Sequence, residues 1–138
     1  QELLKSARKA TKLAYAPYSD FFLFFDAKLS NGETIVGSNQ ENASFSATIC
    51  AERVLLASLS AIYPKESVVT LAVSFLAPKG NHNKPISPCG ICRQALLEHE
   101  INSKRLMRII MSGQEGEVWV AHSAKSLLPL AFTNNDLS

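Results

Sequence analysis

The chain has 138 residues, 46% of them hydrophobic and 19% charged, with a formal net charge of +2. That fits one domain with a real core and excludes a disordered or fibrous chain. The charge is too small to argue for a polyanion partner, and no run of about 18 apolar residues exists to span a membrane.

In chain order, residues 2–14 place Leu3, Leu4, Ala7, Ala10 and Ala14 on one side and Lys5, Arg8, Lys9 and Lys12 on another, which predicts an amphipathic helix. The basic stripe reads as a solvated face, with a nucleic-acid contact as the alternative. Pro17 stops this helix. Residues 21–29 are an apolar, aromatic run suited to a buried strand. Asn31-Gly32 is a hairpin signal, and residues 34–37 are the returning strand. The polar stretch 38–46 leads into a helix that begins at Cys50 and ends at Pro64. Residues 49–62 are almost all apolar or small, so this helix is expected to be buried on most sides. Glu52 and Arg53 in its first turn are then charges in a place that needs compensation.

Residues 68–77 read as a strand covered on both faces, followed by a Pro/Gly/Asn loop over 78–87. A second cysteine segment opens a helix running to about residue 98. Residues 106–111 and 118–120 are strands around a turn at 113–116, and Ser123 starts a last short helix ending at Pro129. The order α, β-β, α, β, α, β, β, α predicts one α/β domain over residues 1–138. Its five strands form a mixed sheet with helices on both faces, three layers in all.

The three cysteines, Cys50, Cys89 and Cys92, fall at the two helix starts. Helix N-termini stabilise thiolates, and three thiolates suit a tetrahedral Zn²⁺. If His82, His99 or His122 takes the fourth position, the zinc is structural; if water takes it, the zinc is catalytic. Glu52 stands two residues past Cys50, and first-turn side chains tilt back toward the helix start. A carboxylate beside such a metal, but not bound to it, is placed to shuttle protons. Taken singly, the Cys-x-x-Cys reads equally as a structural or redox pair, Cys50 as an inert thiol, and Glu52 as a favourable group for the helix dipole. Together they point to catalytic zinc. The odd cysteine count and the absence of a basic-then-apolar leader predict a reducing, cytoplasmic setting.

On these motifs the sequence resembles the small cytidine deaminases of the three-cysteine, homotetrameric kind. The resemblance runs from Ala16-Pro17-Tyr18-Ser19 and Phe21, through Asn39-Gln40-Glu41-Asn42-Ala43-Ser44-Phe45 and Cys50-Ala51-Glu52-Arg53, to Ser87-Pro88-Cys89-Gly90-Ile91-Cys92-Arg93-Gln94 and Leu127-Leu128-Pro129-Leu130-Ala131-Phe132. It implies one zinc per chain on Cys50, Cys89 and Cys92, with Glu52 as proton shuttle. It also implies that Asn39 and Glu41 hold the ribose 3′-hydroxyl and that the Ala51 N–H faces the pyrimidine carbonyl. Arg53 would donate to the thiolates, Phe21 would bind substrate, and Phe132 would stack on the base, from a neighbouring subunit. The implied reaction is hydrolytic deamination of cytidine and 2′-deoxycytidine in pyrimidine salvage, by a homotetramer with sites at subunit interfaces. No nucleic-acid or membrane partner is expected. Deamination of another cytosine compound, a nucleoside antibiotic or a polynucleotide, is the alternative, as is a non-catalytic zinc-stabilised module. The chain departs from the family at Leu23-Phe24-Phe25-Asp26, where Val-Gly-Ala-Ala is usual, so an overpacked strand is expected there. Phe45 replaces a usual Tyr, and Ser38 a frequent Cys.

Overall fold

The computed structural model describes residues 2–9, 13–81 and 83–137, and the side chains of residues 8 and 9 are not among what it describes. One five-stranded sheet organises it, in the order β2-β1-β3-β4-β5. The strands are β1 (Phe22–Leu29), β2 (Thr34–Ser38), β3 (Val68–Leu76), β4 (Arg108–Ser112) and β5 (Val118–Ala121). Three helices accompany them: α1 (Glu2–Lys9), α2 (Ala51–Ile62) and α3 (Gly90–Ser103). The pairings are antiparallel except β3 with β4, which is parallel because α3 carries the crossover. The mixed α/β sheet expected from the element order is present.

Period-2 alternation along β1 divides the two faces. Phe25, Ala27 and Leu29 join Leu55 and Leu59 of α2 and Leu96 and Leu97 of α3 in the main core. Phe24, Asp26 and Lys28 point the other way, toward α1, where Ser6 donates to the Asp26 carboxyl. The expected overpacking at Leu23-Phe24-Phe25-Asp26 is thus distributed over both sides of the sheet: Phe24 and Phe25 are each fully buried, one on each face. The hairpin turn needs its glycine, since Gly32 has φ +89°.

Several predicted boundaries move. Among the described residues the first helix covers Glu2–Lys9; residues 10–12, including Ala10 and Lys12, lie outside them, and Ala14 is not helical. Lys5 is exposed, as a solvated face requires, while Arg8 and Lys9 fall among the side chains not described. The second helix is not buried on most sides: only Ala51, Glu52, Leu55 and Leu59 are buried, and Ile62 is 61% exposed. Among the described residues α2 is covered where it packs on β2, β1 and α3. The last helix is a 3-10 turn, Ala124–Leu127, capped by Ser123, and further 3-10 turns occur at Phe45–Ala47 and Asn134–Leu137.

α3 runs past the expected residue 98 to Ser103 because Glu100 anchors it. The buried Glu100 carboxylate accepts from Met107 N at 2.8 Å, Ser123 Oγ at 2.5 Å, Ala124 N at 2.9 Å and Lys125 N at 3.4 Å. Burial pushes its pKa up, but these donors outweigh burial and hold it below the usual carboxylate range. The helix then stops at Lys104, whose φ of 52° takes the left-handed position glycine usually fills.

Candidate metal centre

Cys50 and Cys89 are the N-cap residues of α2 and α3, both in extended backbone and neither capping its helix with its side chain. Their sulfurs are therefore free to turn toward each other. Cys92 comes one turn into α3 and is fully buried. The three sulfurs all lie within 4.8 Å of one another, and Cys50 and Cys89, 39 residues apart, come to 4.0 Å. Sulfurs at tetrahedral corners about 2.3 Å from a zinc would be about 3.8 Å apart, so this donor set fits Zn²⁺ in spacing and in softness. Contact with Cys92, then Cys89, together with the positive charge of Arg53, pulls the Cys50 thiol down to about 6 against the opposing effect of burial. Cys92 is pushed up, first by its contact with Cys50 and then by burial and the Glu52 charge.

No imidazole joins the sulfurs among the described residues. His99 sits roughly 10 Å further along α3 than Cys92, and its Nε2 accepts the Val68 N–H at 3.1 Å. His122 is exposed and outside the cluster, and His82 lies outside the described residues.

Glu52 is 1% exposed, and its Oε2 has no hydrogen-bond partner. Its carboxyl accepts from the Cys92 thiol, and burial, the largest influence, raises its pKa to about 7. A carboxyl with one orphan oxygen beside three sulfurs is a group waiting for a partner that the chain itself does not supply. What lets α2 bring it there is Gly37 of β2. A Cβ at that position would stand 2.3 Å from the Ala51 carbonyl and 2.8 Å from Leu55 Cβ. The sequence reading passed over Gly37; the signal available was an isolated glycine inside a strand pattern, which marks close backbone approach.

The remaining expected site residues are placed as follows. Ala51 is fully buried, and as the first helical residue its N–H has no intrahelical acceptor. Arg53 is exposed and donates no hydrogen bond to the sulfurs, so it acts on Cys50 through charge alone and is not a buried charge. The Asn39 amide, 9% exposed, accepts from Leu23 N and donates to Phe21 O, both at 2.8 Å, which leaves one N–H and one lone pair. Glu41 accepts from Tyr18 N at 2.8 Å, Ser19 N at 3.3 Å and the Ser19 hydroxyl; these donors hold its carboxyl low against desolvation. An open cavity of about 330 Å³ is lined by Tyr18, Ser19, Glu41, Phe45 and Thr48. Phe21 stacks on Phe75 with centroids 5.1 Å apart. Phe132 is 60% exposed, its carbonyl held by Gln94 Nε2 at 2.8 Å.

Comparison with known proteins agrees with this geometry. The family described as the cytidine and deoxycytidylate deaminase zinc-binding region matches residues 1–107. A cytidine deaminase of Halalkalibacterium halodurans is 34% identical over all of this chain and 97% of its own length. One of Sporosarcina psychrophila is 33% identical over all of this chain and 94% of its own. The crystal structure of cytidine deaminase from Burkholderia pseudomallei superposes with a TM-score of 0.80 at 38% identity, covering 95% of this chain and 97% of the other. Metal-ready sulfurs, fold and sequence converge: the chain belongs to the zinc-binding cytidine and deoxycytidylate deaminase family.

Proposed function

We propose that this chain hydrolyses cytidine and 2′-deoxycytidine to uridine and 2′-deoxyuridine with release of ammonia, a salvage reaction, using one zinc per chain held by Cys50, Cys89 and Cys92. The observation that carries the reading is the buried Glu52 carboxyl, with an orphan oxygen, beside three sulfurs that no imidazole joins among the described residues. The relatives named cytidine deaminase support the substrate.

Bound zinc supplies a Lewis acid that makes water nucleophilic near neutral pH. Glu52 does the proton work. It takes a proton from the attacking water and delivers it to pyrimidine N3 as oxygen adds to C4. It then takes the remaining proton from the new C4 hydroxyl and passes it to the amino group, which leaves as ammonia as the C4–N bond breaks and the C4 carbonyl forms. A carboxyl with a pKa near 7 is matched to give and take protons at that pH. The free Ala51 N–H donates to the pyrimidine carbonyl, and the spare donor and acceptor of Asn39 with the Glu41 carboxylate hold the ribose 3′-hydroxyl. Phe21 and Phe132 lie against the base. Arg53 contributes positive charge near the thiolates.

The chain acts as one deaminase domain over residues 1–138 and assembles as a homotetramer with sites at subunit interfaces. Support for assembly is the apolar surface left bare by one chain: Phe45 is 75% exposed, Ile62 61%, Leu130 95% and Phe132 60%. Sedimentation in solution should give four chains; a monomer that turns over cytidine would remove the interface reading. Free thiols agree with a cytoplasmic setting.

The test is an absorbance assay with cytidine, 2′-deoxycytidine and a single-stranded oligonucleotide on metal-analysed protein. Glu52→Gln should keep its zinc and lose on the order of 10²–10⁴ in kcat. Near-normal turnover by a zinc-loaded Glu52→Gln protein would remove the shuttle role. Turnover of the oligonucleotide alone would replace the substrate, and zinc without turnover of any of the three would leave only a zinc-stabilised module.

A further inference from the structure

Arg93 has no part in the reaction as described, yet its guanidinium is among the most fully engaged side chains in the protein. Nε donates to Pro88 O at 2.8 Å, one terminal nitrogen to Leu127 O at 3.0 Å, and the other to Ser87 Oγ at 2.9 Å. All three acceptors lie outside α3: two are in the turn that enters Cys89, and one is at the end of the 3-10 turn Ala124–Leu127. Arg93 is also in the first turns of a helix, where the dipole disfavours a cation. Local preference does not account for an arginine there; the acceptors it reaches do. The arginine fork is suited to fixing several oxygens at once, which a lysine cannot do.

The consequence falls on Cys89. Of the three cysteines, Cys89 is the exposed one; it caps α3 in extended backbone, and the irregular Ser87-Pro88 segment leads into it. Cys50 and Cys92 are held by α2 packing on Gly37 and by burial in α3. Without Arg93, the Pro88 carbonyl and the Ser87 hydroxyl lose the donors that fix the turn. Cys89 then has only its N-cap position to aim its sulfur.

We infer that Arg93 is a positioning residue that holds the Ser87-Pro88-Cys89 turn in metal-binding geometry and ties that turn to the C-terminal segment through Leu127. The inference rests on the reading of Cys50, Cys89 and Cys92 as the zinc ligands. Gln94, the next residue, directs its side-chain hydrogen bond to Phe132 O instead of to Ser87 or Pro88. It serves as the internal control.

The experiment measures zinc affinity by competition with a chromogenic chelator, and the thiolate-to-metal absorption of the cobalt(II) form, on wild-type protein and on Arg93→Ala, Arg93→Lys, Ser87→Ala and Gln94→Ala. Circular dichroism checks that each is folded. Arg93→Ala and Arg93→Lys should bind zinc 10- to 100-fold more weakly with an altered cobalt spectrum, as loss of a partner that orients a ligand commonly does. Ser87→Ala should shift affinity the same way by less, and Gln94→Ala should leave it unchanged. A merely structural arginine would lower the melting temperature and leave metal competition and the cobalt spectrum untouched. Folded Arg93→Ala that holds zinc as tightly as wild type overturns the proposal. If Arg93→Ala does not fold, wild-type affinity in Ser87→Ala overturns it instead. Wild-type protein that takes up no zinc overturns the ligand assignment itself, and the positioning role with it.

Discussion

Asp26 is 2% exposed on β1, its Oδ1 has no partner, and Ser6 of α1 donates to its carboxyl. Burial raises its pKa above the ordinary 3.8, against the smaller effect of Ser6. A carboxyl whose folded pKa is raised favours the fold fully below its unfolded pKa. That contribution is lost as pH climbs through the folded value. Above that value the buried carboxyl is therefore a burden on the native state. Asp26→Ala, which also restores the small residue usual in the family, should raise stability by about 1–3 kcal/mol at pH 7, and by distinctly less at pH 4. Thermal melts at the two pH values check this; a loss of stability, or an equal gain at both, would count against it. The departure at residues 23–26 was visible in the sequence. Its placement was not, because alternation says that Phe24 and Phe25 face opposite ways but not which face α1 covers. Glu52 posed the converse case: a charge in the first turn of an apolar helix could be read as functional from sequence, but its orphan oxygen is a fact of packing.

At the scale of elements, α2 and α3 point their N-termini at one place, and that convergence makes the site. β2 controls one half of it through Gly37. In Gly37→Ala the new methyl would meet the Ala51 carbonyl at 2.3 Å, and that atom is backbone and cannot swing aside. α2 must retreat, taking Cys50 and Glu52 with it. The variant should lose stability by about 1–3 kcal/mol, and its zinc content and kcat should fall together. Full activity and metal content in Gly37→Ala would mean that the close approach does not position the site. The five strands and three α-helices were legible from period and punctuation, whereas the 3-10 turns Phe45–Ala47 and Asn134–Leu137 were not. Boundaries went astray where long-range bonds decide them, as at α3, which continues past residue 98 because Glu100 collects donors from Met107 and the segment 123–125.

Over the molecule as a whole, the main apolar cluster among the described residues lies between the sheet and the α2/α3 layer. The sulfurs add a clasp between chain segments 39 residues apart. Zinc binding to the native state alone stabilises it by mass action, about 2.7 kcal/mol at a hundredfold excess over Kd. Chelation should therefore lower the melting temperature while the far-UV circular dichroism of the native protein stays. An unshifted melting temperature would argue that the sulfurs hold no zinc. The exposed apolar residues on α2 and the C-terminal segment belong to this scale too, since nothing among the described residues covers them.

The sequence by itself determined the α/β order, the mixed sheet, the three sulfur donors and the acid beside them. All of these follow from residue type and short spacing, which local geometry translates directly. Tertiary structure decided that Cys50 and Cys89 meet, that Glu52 is buried with a free oxygen while Arg53 faces out, and that Gly37, Arg93 and Glu100 hold the frame. These rest on contacts between residues far apart in the chain, and no local pattern encodes which distant atoms a side chain will reach.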